Sequence, residues 1–262
     1  MMRALYTSAT GMEAQQTNVD VISNNLSNVN TTGFKKQRTN FQDLVYQESR
    51  HPGTPNAQGE EIPVGTEVGH GTRVSATQKL FTQGSLEETG NPLDLVIEGD
   101  GFFQVRMPDG TTGYTRDGAL KMDSRGRLVT ADGHPVQPEI TIPEEATDIS
   151  ITSDGMVSYQ LPGEEGMQEA GEIELVNFTN PAGLSSQGRN LFSETDASGP
   201  PVPGRPGENG LGTIEQGFLE MSNVEIVDEM VDMITAQRAY ETNSRSIQAS
   251  DEMLQTANQL KR

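Results

Sequence analysis

Leu219, Ile226, Met233, Tyr240, Ile247 and Leu254 recur every seven residues without a miss. A run of this kind marks a helix that turns one apolar stripe toward another helix. Ser222, with Glu225 three residues on, predicts a capping box at its start. Asp228, Glu229 and Asp232 suit the positive end of the helix dipole, and Lys261 and Arg262 suit the negative end. From Ile226 to Leu254 such a helix would be about 40 Å long, at ~1.5 Å per residue.

The amino end carries a matching feature. Leu5, Met12, Val19 and Leu26 also fall every seven residues, and Ile22 and Val29 add a second column. Asn30, Thr31 and Thr32 break the pattern, and Gly33 suits a left-handed helix end. Each end of the chain therefore predicts one striped helix. Two readings are open: the helices close on each other within an ordinary domain, or the stripes join copies of the chain. The neighbouring columns, Ser8, Gln15, Ala236, Asn243, Ser250 and Ala257, are small or polar. They leave too little apolar area for a self-sufficient two-helix unit, which favours assembly.

The 262 residues allow two domains. With no cysteine, disulfides and Cys-based zinc sites are excluded. The net charge of −20 argues against nucleic acid, which needs clustered Lys and Arg. Residues 1–36 sum to +1 and residues 220–262 to −4, so the middle holds −17. That distribution fits a solvated outer body between inward-facing ends, and equally fits simple solubility. No stretch reaches the length of an apolar membrane span, and Thr7, Ser8, Thr10 and Glu13 interrupt any signal-peptide block. The expectation is a chain that stays in the cytoplasm or leaves without a cleaved signal.

Residues 34–50 are open between helix and extended chain, and residues 51–71 read as a long loop or extended excursion. The middle is β. Leu93–Ile97, Phe102–Met107, Arg127–Thr130, Ile140–Ile142, Ile149–Thr152, Met156–Tyr159 and Glu172–Phe178 are short strand-prone runs. Between them stand Asp109-Gly110, Asp117-Gly118, Asp132-Gly133 and Asp154-Gly155, pairs that favour the positive φ of tight hairpins. The pattern predicts an antiparallel sandwich or open barrel. Ser198–Gly212 reads as an exposed loop.

Catalytic and metal chemistry finds no foothold. His51, His70 and His134 show no ligand spacing and read as surface residues. There is no metalloprotease helix, nucleophile elbow, phosphate-cradling loop or dinucleotide fingerprint. The Asp-Gly pairs lack calcium-loop spacing, and no carboxylate pair stands out. Asn24, Asn25, Asn28 and Asn30 cluster at the end of the first helix. Asparagine there makes a cap and turn, or a fixed junction between the helix and the outer body.

At that cluster the sequence acquires a resemblance. Ile22–Lys36 (ISNNLSNVNTTGFKK) resembles the signature of the flagellar rod and hook family, with Ser27 where alanine is usual. Its signature residues here are Asn24, Asn25, Asn28, Thr32, Gly33, Phe34 and Lys35. Glu98–Val105 (EGDGFFQV), Tyr114–Gly118 (YTRDG) and Ser222–Ala257, with AQRAYETNS at its centre, also resemble that family, so the match runs from end to end. Met1-Met2-Arg3, Gln15-Gln16-Thr17-Asn18 and the insert from Tyr46 to Gly71 fit its distal-rod branch better than its proximal-rod or hook branches.

The resemblance implies an α+β fold: long N- and C-terminal helices pairing in a coiled-coil-like layer, with a central, mainly antiparallel β domain facing outward. The corresponding division is 1–36 with 220–262 as the helical assembly domain, 37–78 as an extended bridge and insert, and 79–219 as the β domain. It implies a structural subunit of a hollow, rigid drive shaft that transmits torque from motor to hook, with no enzymatic activity and no cofactor. It further implies helical assembly of copies, contact with proximal-rod proteins, the hook protein and the P and L rings, a place spanning the periplasm, and export through the flagellar type III route. The insert would stiffen the shaft. The expected assembly residues are Leu5, Met12, Val19, Ile22 and Leu26 against Ile226, Met233, Tyr240, Ile247 and Leu254. The rivals are a periplasmic wall-cleaving enzyme, which needs an acidic cleft, and an acidic β-domain binding module, which would stay monomeric.

Overall fold

The computed structural model describes residues 2–53, 63–163 and 166–259. The chain divides into two compact units. One comprises Met1–Ser27, Gln37–Gln78 and Glu225–Arg262, and the other Asn28–Lys36 and Lys79–Val224. Gln37–Gln78 thus groups with the two helices, and Asn28–Lys36 and residues 220–224 group with the β body.

The helical unit is built on α1 (Met2–Ser27) and α2 (Ile226–Gln259), with β1 (Gln37–Asp43), β2 (Tyr46–Arg50), β3 (Thr66–Gly69) and β4 (Thr72–Lys79) between them. β1 pairs with β4, and β2 pairs antiparallel with β3. Residues 34–50, left open by the sequence, thus hold extended chain. Within the 51–71 excursion Thr66–Gly69 is strand β3, and residues 54–62 of the insert lie outside the described residues. α2 begins at Ile226, with the Glu229 N–H donating to Glu225 O at 3.0 Å. The expected capping box does not form: Ser222 Oγ accepts the Val224 N–H, only two residues on, at 3.3 Å. A hydroxyl spent on that local turn is unavailable to the helix start. Asp228 and Glu229 do occupy the first helical turn, and Lys261 and Arg262 fall outside the described residues.

The β unit runs β5 (Leu86–Glu88), β6 (Leu95–Glu98), β7 (Phe102–Arg106), β8 (Thr112–Thr115), β9 (Lys121–Met122), β10 (Leu128–Val129), β11 (Val136–Gln137), β12 (Asp148–Ile151), β13 (Met156–Gln160), β14 (Gln168–Glu172), β15 (Leu175–Asn177), β16 (Ser185–Gly188), β17 (Leu191–Ser193), β18 (Val202–Gly204), β19 (Thr213–Gln216) and β20 (Phe218–Glu220). Its main sheet has seven strands in the order β16-β17-β8-β7-β15-β18, with β11 also on β7. β12-β13-β14 form a meander, and β6-β19 and β5-β20 are antiparallel pairs. Alternate residues of these strands bury Leu95, Ile97, Phe103, Val105, Leu175 and Ile214 in one core. A second cluster stacks Phe102, Tyr114, Phe178 and Phe192 edge to face, Tyr114 and Phe178 lying 4.8 Å apart between centroids.

Several expectations need correction. Ile140 and Ile142 are buried and belong to an isolated bridge rather than a strand: Thr141 stands opposite Arg127, and the Ile142 N–H donates to Gly126 O at 2.7 Å. Gly110, Gly133 and Gly155 adopt the expected positive φ, whereas Gly118 does not. Gly118 serves close approach instead: its carbonyl accepts the Leu95 N–H at 3.0 Å, and a Cβ there would run into the Leu95 carbonyl. Ser198–Gly212 is not simply an exposed loop. Ser198 is fully buried, and Val202–Gly204 is an edge strand on β15, where Pro203 is tolerated. His134 is buried rather than on the surface, its carbonyl closing a turn with the Thr130 N–H at 2.8 Å.

Candidate assembly site

The two helices run antiparallel. Asn25 meets Glu229, Gly11 meets Asn243 and Ser8 meets Ser246, so a step back along α1 matches an equal step forward along α2. The buried residues of α2 are Glu229, Ala236 and Ser250, and with Asn243 they form an unbroken column of seven-residue steps. In α1 the buried residues are Ser8, Gly11, Ala14, Ile22 and Asn25. The helices therefore approach on small and polar side chains. At Gly11 the approach is so close that a Cβ would lie 2.9 Å from Asn243 Nδ2.

One end of this seam is pinned. Asn25, 1% exposed, donates its amide to Gln37 O at 2.9 Å and to Glu229 Oε2 at 3.1 Å, and its Oδ1 accepts the Gln37 N–H at 2.9 Å. A side-chain amide can thus act as one more rung for the strand that follows while tying α1 to α2. This accounts for one asparagine of the cluster. Asn24 is exposed, and Asn28 accepts the Thr31 hydroxyl at 3.2 Å in the turn after the helix.

The apolar columns sit elsewhere on the helices. Ile22 is buried, and Leu5, Met12, Val19 and Leu26 are half-buried. On α2, Met233, Ile247 and Leu254 are half-buried, whereas Ile226 and Tyr240 are exposed. Val19 and Tyr240 do come together, lining an open groove with Gln16, Gln237 and Glu241. α2 bears a further apolar face absent from the sequence reading: Val227 (73% exposed), Met230, Val231 and Ile234. Their spacing of three, four and seven is itself a helical-face signal, hidden beside the seven-residue column.

The rest of the signature belongs to the β unit. The Thr32 hydroxyl donates to Asp117 Oδ1 at 3.0 Å, and the Thr32 carbonyl accepts the Asn190 amide at 3.0 Å. Gly33, at φ +66°, donates its N–H to Glu220 O at 2.8 Å, and any Cβ there would meet the Arg116–Asp117 backbone. Phe34 donates its N–H to Thr31 O at 3.3 Å, and its half-buried ring follows that turn. Lys35, 1% exposed, sets its Nζ 2.6 Å from Glu220 Oε1. Burial holds the lysine below its ordinary pKa, Glu220 opposes that shift and Arg116 adds to it. Arg116 and Asp117 belong to YTRDG, and the carbonyls of Gly99 and Gly101, from EGDGFFQV, accept the Arg116 guanidinium. Three motifs that look independent in the sequence therefore meet at one buried point. Glu220 at its centre was not foreseen, because nothing in its neighbourhood marks one acid among many.

Residues 5–35 match the family model described as flagella basal body rod protein. Residues 96–159 match the flagellar hook protein FlgE/F/G D1 domain, and residues 215–260 the flagellar basal body rod FlgEFG protein C-terminal model. Three relatives share the name flagellar basal-body rod protein FlgG. That of Borreliella burgdorferi is 54% identical over 264 residues, covering all of both chains. That of Buchnera aphidicola from Schizaphis graminum is 47% identical, covering 99% of this chain and all of its own. That of Bacillus subtilis is 42% identical, covering all of both chains.

Proposed function

The chain belongs to the flagellar basal-body rod family as a structural subunit of the distal rod, and from that premise we propose how it assembles. The stripes Leu5, Met12, Val19, Ile22 and Leu26, with Ile226, Met233, Tyr240, Ile247 and Leu254, and the face Val227, Met230, Val231 and Ile234, bind other copies. The single observation that carries this is the division of labour on the helices. α1 and α2 close on each other through small and polar residues, and most of their large apolar side chains are left half-buried or exposed. Such a surface, repeated along a helix some 50 Å long at ~1.5 Å per residue, is costly in water and is relieved by a neighbouring subunit. Copies joined head to tail, a stripe of one copy on a different patch of the next, extend as a helical array rather than closing as a pair.

In this reading the array is a hollow shaft that carries torque. Its neighbours are proximal-rod proteins, the hook protein and the P and L rings across the periplasm, and the subunit reaches them through the flagellar exporter. Among the described residues no helix is long and apolar enough to cross a membrane, which fits this reading. The chain works by shape and stiffness rather than by catalysis.

The test is sedimentation with parallel circular dichroism across a concentration series. Unaltered protein should gain mass and helix together. Leu26→Asp with Ile247→Asp should abolish the gain in mass and leave the β signal intact. Assembly undiminished by the double substitution would refute the proposal.

A further inference from the structure

Lys35 and Arg116 are buried cations, 1% and 3% exposed, and they face one carboxylate, Glu220, 2% exposed. Lys35 Nζ lies 2.6 Å from Glu220 Oε1 and donates to the Thr82 carbonyl at 2.8 Å. Arg116 Nε lies 3.4 Å from Glu220 Oε2, an ion pair without hydrogen-bond geometry. Its two remaining nitrogens donate to Gly101 O at 3.0 Å and Gly99 O at 2.7 Å. The Gly84 N–H donates to Glu220 Oε1 at 2.9 Å. Asp100, the other acid acting on both cations, is exposed and screened by solvent. Two buried positive charges thus depend on a single buried negative one, and burying either cation unpaired is strongly unfavourable.

Chain order gives this arrangement a consequence. Lys35 precedes the β unit's strands, Arg116 lies among them, and Glu220 is the last residue of its last strand, β20. The backbone of Glu220 also receives the signature segment, through the Gly33 N–H. We propose that Glu220 is the closing residue of the β unit: Lys35 and Arg116 are buried together only once its carboxylate stands between them. The signature segment and the β strands then lock in one step, and the unit stays open until nearly the whole chain has arrived. Buried polar groups that fix a single arrangement act as such specificity devices elsewhere.

Hydrogen exchange on the full chain, read by peptide across β6, β7 and β19, tests this. Glu220→Gln keeps the shape and the Gly84 acceptor and removes only the charge, so exchange there should rise about a hundredfold or more. Adding Lys35→Met to Glu220→Gln removes one of the two stranded cations and should bring exchange back by about tenfold, although it deletes a second buried side chain. Glu220→Asp, which keeps the charge and guards against an unfolded Gln variant, should stay within about tenfold of the unaltered chain. Glu220→Gln within about threefold of the unaltered protein would overturn the proposal. So would a double variant that exchanges faster than Glu220→Gln alone, because additive loss is the signature of packing rather than of charge.

Discussion

The helical unit and the β unit solve opposite problems with the same kinds of residue. In the β unit Leu95, Val96, Phe103, Val105 and Leu175 are fully buried, and the charged residues taken inside are held by hydrogen bonds. In the helical unit the buried residues of the helices are Ser8, Gly11, Ala14, Ile22, Asn25, Glu229, Ala236 and Ser250, and the large apolar residues of α2 are half-buried or exposed. Burial stabilises at roughly 25 cal/mol per Å² of apolar surface, so the first arrangement draws far more on that term than the second.

The sharpest way to break this contrast is to remove one large side chain from each unit. Phe103→Ala should destabilise the β unit by about 3–5 kcal/mol, measured by urea unfolding of the unassembled chain. Val227→Ala, on the exposed face of α2, should stay within about 0.5 kcal/mol in the same measurement. Equal losses would mean that the helical face is already covered within one chain. A smaller effect is expected at the pinned end of the helix pair. Asn25→Ala strands the Gln37 backbone and the Glu229 carboxylate and should cost about 1–3 kcal/mol in a thermal melt of the helical signal. A neutral outcome would place the register of α1 and α2 in shape alone.

The smallest effect concerns pH. Asp123 accepts the Arg127 and Arg125 N–H groups and the Arg127 guanidinium, which hold its pKa at about 2 rather than 3.8. A depressed carboxylate contributes stability above its ordinary pKa and loses it as pH falls from 3.8 through about 2. Asp123→Asn should therefore lower the neutral plateau slightly and flatten the acid limb of the stability curve between those values, the two chains converging below about pH 2. An unchanged acid limb would show that the exposed turn contributes nothing measurable.

The seven-residue columns are legible in the chain because helical periodicity is a local property, and so are the Asp-Gly turns at Gly110, Gly133 and Gly155. The column that would face inward was harder to read. Sequence reasoning puts the large apolar residues at the seam, whereas backbone approach at Gly11 selects the small ones, and only the partner helix reveals that distance. The strand at Val202–Gly204 was hidden by its prolines, which an edge position accommodates. The motifs around Lys35 and Arg116 could be recognised but not explained, because their common partner, Glu220, lies far away in sequence.

Taken alone, the sequence determined two terminal helices, an antiparallel β middle and the family to which both belong. Local periodicity and turn chemistry carry the first two, the resemblance of the motifs carries the third, and none needs a distant contact. The tertiary structure decided which helix face closes inward, that Asn28–Lys36 packs with the β body, and that Glu220 holds two buried cations. Each of these depends on groups brought together from far apart in the chain, where close packing and the cost of an unpaired buried charge choose among arrangements that the local pattern leaves equal.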